Sequence, residues 1–359
     1  MVAGDPHQGG ATWAVLQWVL GLRRLGHDVW LVEPVRELSD ASVAYFRDVV
    51  RSFDLDGRAG LLAPDATTIG ARYADLVQAA RGADLLVNVA GMLVDGRLFE
   101  PIPTRLYLDL DPAFTQHWQA QGIDMRLEGH THFATVGLRV GTVGCAVPTC
   151  GRDWLHTLPP VVLDRWPVAQ ELIDDAFTSV GNWRSYGSLE VDGVRYGQKA
   201  HAVRALIELP ERSTVPVSLA FSIHPDEQDD LAALAKHGWR LLDPAVVASS
   251  PAAYQAFVAG SRAELGIAKE GYVVSQCGWF SDRSACYLAS GRPVLALDTG
   301  FGAGLPGGEG LLPFGSVDEA LGGIEAIASD YERHRHAARA LAEGLLDSDV
   351  VLGRLLACL

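Results

Sequence analysis

Apolar positions along this chain alternate between two periods. Residues 13–25 repeat at helical spacing and stop at Gly26, which takes the C-cap role. Residues 28–33 follow as a strand, then helices at 41–52 and 73–80 and a buried strand at 83–89. Residues 105–109 and 133–136 read as further strands. Strand and helix in turn predict an α/β protein built on parallel sheet. From 148 to 166 the period is lost and proline accumulates, which predicts a linker between two domains, 1–165 and 166–359. The second domain opens with a strand at 177–180, and 217–223, 272–276 and 293–297 supply others. Ser316-Val317-Asp318-Glu319 is a capping-box start for a helix through Ala328. Residues 331–345 and the apolar C-terminal segment are helical. The start of the chain is unusual: Met1-Val2-Ala3-Gly4 runs almost directly into a glycine loop. A sheet of this class begins with a strand before that loop. The first strand is therefore short or missing, and its loss leaves a gap in the middle of a parallel sheet.

Composition narrows the function. Net charge is −15, which argues against a nucleic-acid partner, since a large footprint on nucleic acid needs a basic face. No apolar run approaches the ~20 residues of a membrane span, and no basic-then-apolar segment marks a signal peptide. The five cysteines, an odd number without zinc-type spacing, predict a reduced cytoplasmic chain. The oligomeric state is not legible.

The densest chemistry lies between 272 and 301. The segment 272–276 is β-rich, Gly278 permits a tight turn, and Ser281 stands at an N-cap ahead of a helix at 282–289. Free N–H groups at that helix start favour an anion. Asp298-Thr299-Gly300 then forms a second loop at the end of the 293–297 strand, where open α/β sheets bind ligands. Seven of the 38 glycines fall between 298 and 315, so backbone comes close to something there or adopts positive φ.

These residues resemble the donor half of GT-B glycosyltransferases. Cys277-Gly278-Trp279 and Ser281 match part of a plant-type nucleotide-sugar box, and Ala289-Ser290-Gly291-Arg292-Pro293-Val294 matches an Ala-x-Gly-x-Pro-Val segment of the superfamily. Nearly end to end, the chain resembles a group of bacterial glycosyltransferases. The shared segments are Gly9-Gly10-Ala11-Thr12-Trp13, 16–22, 278–283, 298–301 and 308–312. The resemblance implies two Rossmann-like doubly wound domains facing across a cleft, with the last helix crossing back. It also implies a nucleoside diphosphate-sugar as co-substrate, no further cofactor and no metal. Three departures stand out. Gln276 replaces the box histidine, the stretch from Gln276 to Gly291 is two residues longer, and Cys286 stands where the superfamily has a donor-binding Glu.

The site expectations follow from both readings. Ser281 and Arg283 are placed on the diphosphate, and Asp282 or Asp298 on ribose or hexose. Thr299, Gly300 and Phe301 complete the second loop. Asn182-Trp183-Arg184, after the first strand of the second domain, corresponds to a phosphate-contacting loop, and Lys199 to the lysine that neutralises the leaving diphosphate in retaining members. Trp183 and Trp279 are either base-stacking residues or core tryptophans. His7 corresponds to the acceptor-activating base of inverting members, with Asp111 and His130 as alternatives. Asp109-Leu110-Asp111 also spells an Asp-x-Asp, and His130-Thr131-His132 pairs two imidazoles, but neither has the spacing of a full metal set. Glu33, at the end of the second strand, keeps open a nicotinamide-type reading. An epimerase or hydrolase of the same fold and a non-catalytic auxiliary protein are the other two readings.

Overall fold

The computed structural model describes all residues, 1–359. The first half contributes β1 (Leu31–Pro34), β2 (Ala59–Leu62), β3 (Thr68–Gly70), β4 (Leu85–Val89), β5 (Thr104–Asp109), β6 (His132–Thr135) and β7 (Trp154–His156). β1 and β2 are parallel, and β3 returns antiparallel on β2. β4, β5, β6 and β7 form a second, all-parallel sheet in chain order. β7 lies within the proline-rich stretch read as linker, because Trp154 alternates with His156 over too few residues to show a period. The Gly9–Arg24 helix and the Tyr73–Gly82 helix flank the two sheets.

β1 and β4 are separated by an apolar cavity of about 1080 Å³ lined by both strands. Residues 1–4 do not fill it. The N–H groups of Val2, Ala3 and Gly4 donate to the Glu33 carboxylate (3.0, 2.9 and 2.8 Å) at the end of β1. Glu33 therefore anchors the chain start.

The second half contributes β8 (Asp174–Asn182), the hairpin β9 (Leu189–Val191) and β10 (Val194–Tyr196), then β11 (Val217–Ser222), β12 (Arg240–Leu241), β13 (Ser261–Gly266), β14 (Val294–Leu297) and β15 (Leu311–Phe314). Six of these form one parallel sheet in the order β12-β11-β8-β13-β14-β15. The chain winds outward from β8 in one direction, then restarts at β13 in the other. The reversal between β8 and β13 is where such sheets open a ligand crevice.

One predicted strand is a helix. Residues 272–276 fall in the Glu270–Ser275 helix, which ends with Gln276 in the left-handed region (φ 46°). The strand of that unit is β13, ten residues upstream. Its Arg262 and Glu264 interrupt the apolar run and hide it from a pattern reading. The Ser281 N-cap reading agrees with the structure, since Ser281 Oγ accepts the Arg283 N–H at 3.2 Å. The Ser348–Leu356 helix lies on the Gly9–Arg24 helix. A Cβ on Gly21 would sit 2.6 Å from Leu352 Cδ1, so glycine permits the close approach. No helix is long and apolar enough to cross a membrane.

Candidate active site in the interdomain cleft

The loops after the strands of both halves meet. Gly9 N–H donates to Ala248 O (2.7 Å) and Trp13 Nε1 to Pro251 O (2.9 Å). The loop after β6 runs against the Cys277–Trp279 turn: Leu138 N–H donates to Gly278 O (3.3 Å) and Arg139 N–H to Cys277 O (3.0 Å). Gly278 has φ +83°, and a Cβ there would lie 2.9 Å from the Leu138 and Arg139 nitrogens. The neighbour of this tight turn is the backbone of the other half.

Beyond β8 and β13, at the switch point, the Arg283 guanidinium is buried. It pairs with Glu264 on β13 and donates to Val180 O (3.0 Å) and Ile267 O (3.4 Å), so it ties the two strand ends together. Near Gly181, Lys199 opens the Lys199–Ala205 helix. Its ammonium approaches Gly181 so closely that a Cβ there would be 2.6 Å away, and it lies 5.5 Å from the Phe221 ring centre. It takes no part in the ion pairs that engage Arg184, Lys269 and Arg283. Burial, then Arg283 and Lys269, hold its pKa well below the usual lysine value. Asp282, in the first turn of the Asp282–Ala289 helix, is affected oppositely, with burial raising its pKa against the attraction of Arg283 and Lys199. A half-buried lysine without a protein counter-ion at a switch point is an anion-seeking group.

The other expected site residues are placed as follows. Asn182 ends β8 at the same edge. Trp183 is a core residue, 1% exposed, donating from Nε1 to Asp230 (2.9 Å), and so has no free face for a base. Arg184 is bound to Glu227. Trp279 stacks on Tyr272 (4.5 Å between centroids, 27°), and its carbonyl accepts Thr299 Oγ1. Asp298 accepts the Gly300 N–H (2.8 Å), and Phe301 packs on Phe280. The second loop is thus largely held by itself and by the Cys277–Trp279 turn. Two of its glycines have packing reasons: a Cβ on Gly300 would strike Arg139 and Gln276 O, and one on Gly310 the backbone of Ala338. Cys286 is buried and accepts from Gln17 Nε2 (3.7 Å), a helix residue of the first half, so it faces the domain contact.

The four histidine and carboxylate candidates separate clearly. His130 precedes β6, whereas the cleft contacts come from residues after that strand. Its ring is edge-on to Phe99 and Tyr107, with Nε2 at Asn88 Nδ2 (3.0 Å) and Nδ1 at Leu127 O (3.2 Å). Burial lowers its pKa. Both of its ring nitrogens are engaged by the protein. Asp111 is in the cleft but fully engaged. Lys269 Nζ donates to both its oxygens (3.0 and 2.9 Å), Tyr186 OH to one (2.5 Å) and Tyr272 OH to the other. Burial, then Asp111, raises the pKa of Tyr186 and of Tyr272. Asp109 accepts from Thr115 (2.8 Å), Gln116 (2.8 Å) and Thr135 (2.7 Å), with its pKa raised by burial. The Asp-x-Asp carboxylates therefore point to different protein donors. His7 stands exposed at φ 65° in the loop that reaches Ala248, its ring 5.1 Å from Tyr45.

Sequence reasoning missed the Asp111–Tyr186–Lys269–Tyr272 cluster and the Glu264–Arg283 pair. The available signal was one ionisable residue, Glu264, within an otherwise apolar strand.

Two Rossmann-like doubly wound units facing across a cleft define the GT-B fold. Solved structures agree in fold over the whole chain. Anabaena HepE in complex with UDP and glucose is 15% identical, with a TM-score of 0.62, covering 99% of this chain and 98% of that one. AviGT4, a glycosyltransferase involved in avilamycin A biosynthesis, is 14% identical with a TM-score of 0.57, covering 99% and 91%. An alpha-glucosyltransferase in complex with UDP is 10% identical with a TM-score of 0.63, covering 100% and 98%. No protein-family model matches the sequence, and no curated protein does.

Proposed function

We propose that this protein is a glycosyltransferase that moves a hexosyl group from a nucleoside diphosphate-sugar to an acceptor nucleophile without a metal ion. The observation that carries the reading is Lys199, a cation without a protein counter-ion at the switch point of the second sheet. The acceptor oxygen attacks the anomeric carbon, the bond from that carbon to the diphosphate oxygen breaks, and the electron pair stays on the diphosphate. Lys199 neutralises that charge, the main electrostatic task of the step. The Ser281-capped helix start assists. The acceptor proton leaves to a base, for which His7 is the free cleft-side imidazole. Asp111 serves instead as the interdomain anchor, since four hydrogen bonds hold it. Engagement of Asp109 and Asp111 by protein donors supports metal independence. HepE and the alpha-glucosyltransferase carry UDP or UDP-glucose in their structures, so a uridine donor is tested first. DNA accompanies the alpha-glucosyltransferase in some of its structures. A net charge of −15 favours a different acceptor class here.

A binding-only protein is the second reading. Cys286, buried against Gln17 where the superfamily has a donor-binding Glu, favours it.

A thermal-shift panel with UDP, GDP, ADP, CMP and dTDP, with and without Mg²⁺, tests the donor site. A ligand at ~100 times its Kd stabilises by about 2.7 kcal/mol. The expected result is a metal-independent shift with UDP that is lost in Lys199→Ala. Turnover is then read as UDP release from UDP-glucose with an acceptor library. Lys199→Ala is expected to lower its rate by about 10²–10³. A UDP shift with no release in any condition selects the binding-only reading, and no nucleotide shift at all removes the donor site.

A further inference from the structure

We propose that the cavity between β1 and β4 is the seat of a parallel β-strand of about five apolar residues, contributed by polypeptide contiguous with Met1 on its N-terminal side. The inference rests on two bare strand edges and the space between them.

Hydrogen-bond parity identifies the bare edges. In a parallel ladder, alternate residues bond to opposite neighbours. Leu31 N–H donates to Arg58 O (2.8 Å) and Val35 N–H to Leu62 O (2.9 Å), so the odd residues of β1 serve β2. Val32 turns its amide towards the cavity. On β4, Asp84 O accepts from Thr104 N–H (3.3 Å) and Ala90 N–H donates to Leu108 O (2.9 Å). Leu85, Val87 and Val89 therefore face the cavity with theirs. Neither edge has a paired strand. Unpaired backbone groups in an apolar slot are costly, and native chains pair them.

The slot is also covered on both faces. Val15, Trp18 and Val19 of the Gly9–Arg24 helix line it, as do Leu76 and Ala80 of the Tyr73–Gly82 helix. A strand there is buried on both sides, which demands a continuous apolar run. Without it, the apolar side chains of β1 and β4 remain only partly buried, while all four positions of β2 are buried. Winding order agrees, because a doubly wound sheet places its first strand between the second and the fourth.

Polarity selects the occupant. Met1 and Val2 line the cavity, and Glu33, near the end of β1, holds the Val2, Ala3 and Gly4 amides. A chain emerging from the slot into Met1 runs parallel to β1 and β4, then enters the loop that carries His7. The strand would brace that cleft-side loop.

The test compares the chain from Met1 with one extended through the roughly ten codons upstream in the same frame. The readouts are Tm and amide exchange, neither of which depends on sugar transfer. The extended chain is expected to gain at least about 5 °C in Tm and to protect the Val32 and Val87 amides. Replacing the added residues by Gly/Ser of equal length should remove both effects. Three results overturn the proposal: equal Tm and exchange in the two chains, a gain retained by the Gly/Ser version, or a dimer of the Met1 chain with those amides protected across the subunits. If the Met1 chain does not fold, exchange is read on the extended chain alone, and fast-exchanging Val32 and Val87 amides reject the strand.

Discussion

Lys199 shows what one side chain can report about a site. Burial and two neighbouring cations depress its pKa from the usual 10.5. Between the folded and unfolded values the unfolded chain binds the extra proton, so this residue makes stability rise with pH across that window. Below the folded value the penalty is complete. Lys199→Met should therefore raise Tm in the absence of ligand, most near pH 7 and least as pH approaches about 10. Thermal melts of both proteins across that range read the difference, and a gain that does not shrink with pH would contradict the assignment. Ser281 and the glycine turn were visible in the sequence because caps and tight turns have local signatures. Whether Arg283 faced a ligand or the core was not, because an arginine's partners are set by distant residues such as Glu264.

At the scale of elements, Glu264 and Arg283 join β13 to the Asp282–Ala289 helix. Both are buried, and Arg283 also bonds the ends of β8 and β13. Removing one partner strands a buried charge. Glu264→Ala is expected to cost about 3–5 kcal/mol, while replacing both residues by apolar ones of similar volume should cost less. Urea midpoints of the single and double variants check this, and additive losses would show that the pair is not coupled. The longer helices and seven of the fifteen strands were readable from period. β13 was not, because it carries charges that only tertiary pairing can bury. The 272–276 segment was misread as strand because β-branched and aromatic residues over five positions cannot distinguish strand from a short helix.

For the molecule as a whole, Asp111 of the first half receives Lys269, Tyr186 and Tyr272 of the second. Asp111→Ala should loosen the cleft, read as a larger radius of gyration by small-angle scattering in the absence of ligand. An unchanged radius would mean that the Leu138 and Arg139 contacts with the Cys277–Trp279 turn suffice alone. The acidic surface predicts a second whole-molecule property. A short DNA duplex should show no retention even at about 50 mM salt, where phosphate contacts are strongest. Retention would reopen a DNA acceptor.

The sequence by itself determined the α/β alternation, the cap at Ser281 and the turn at Gly278. Each is written in neighbouring residues, through side-chain period, local hydrogen bonding or permitted φ. Tertiary structure decided the rest: that Gly278 meets the backbone of the other half, that Trp183 and His130 are packed away, that Asp111 is an anchor, and that Lys199 alone among the expected phosphate cations has no partner. Those outcomes depend on pairings between residues up to 161 positions apart, as from Asp111 to Tyr272. A local pattern carries no record of which distant donor a carboxylate will meet.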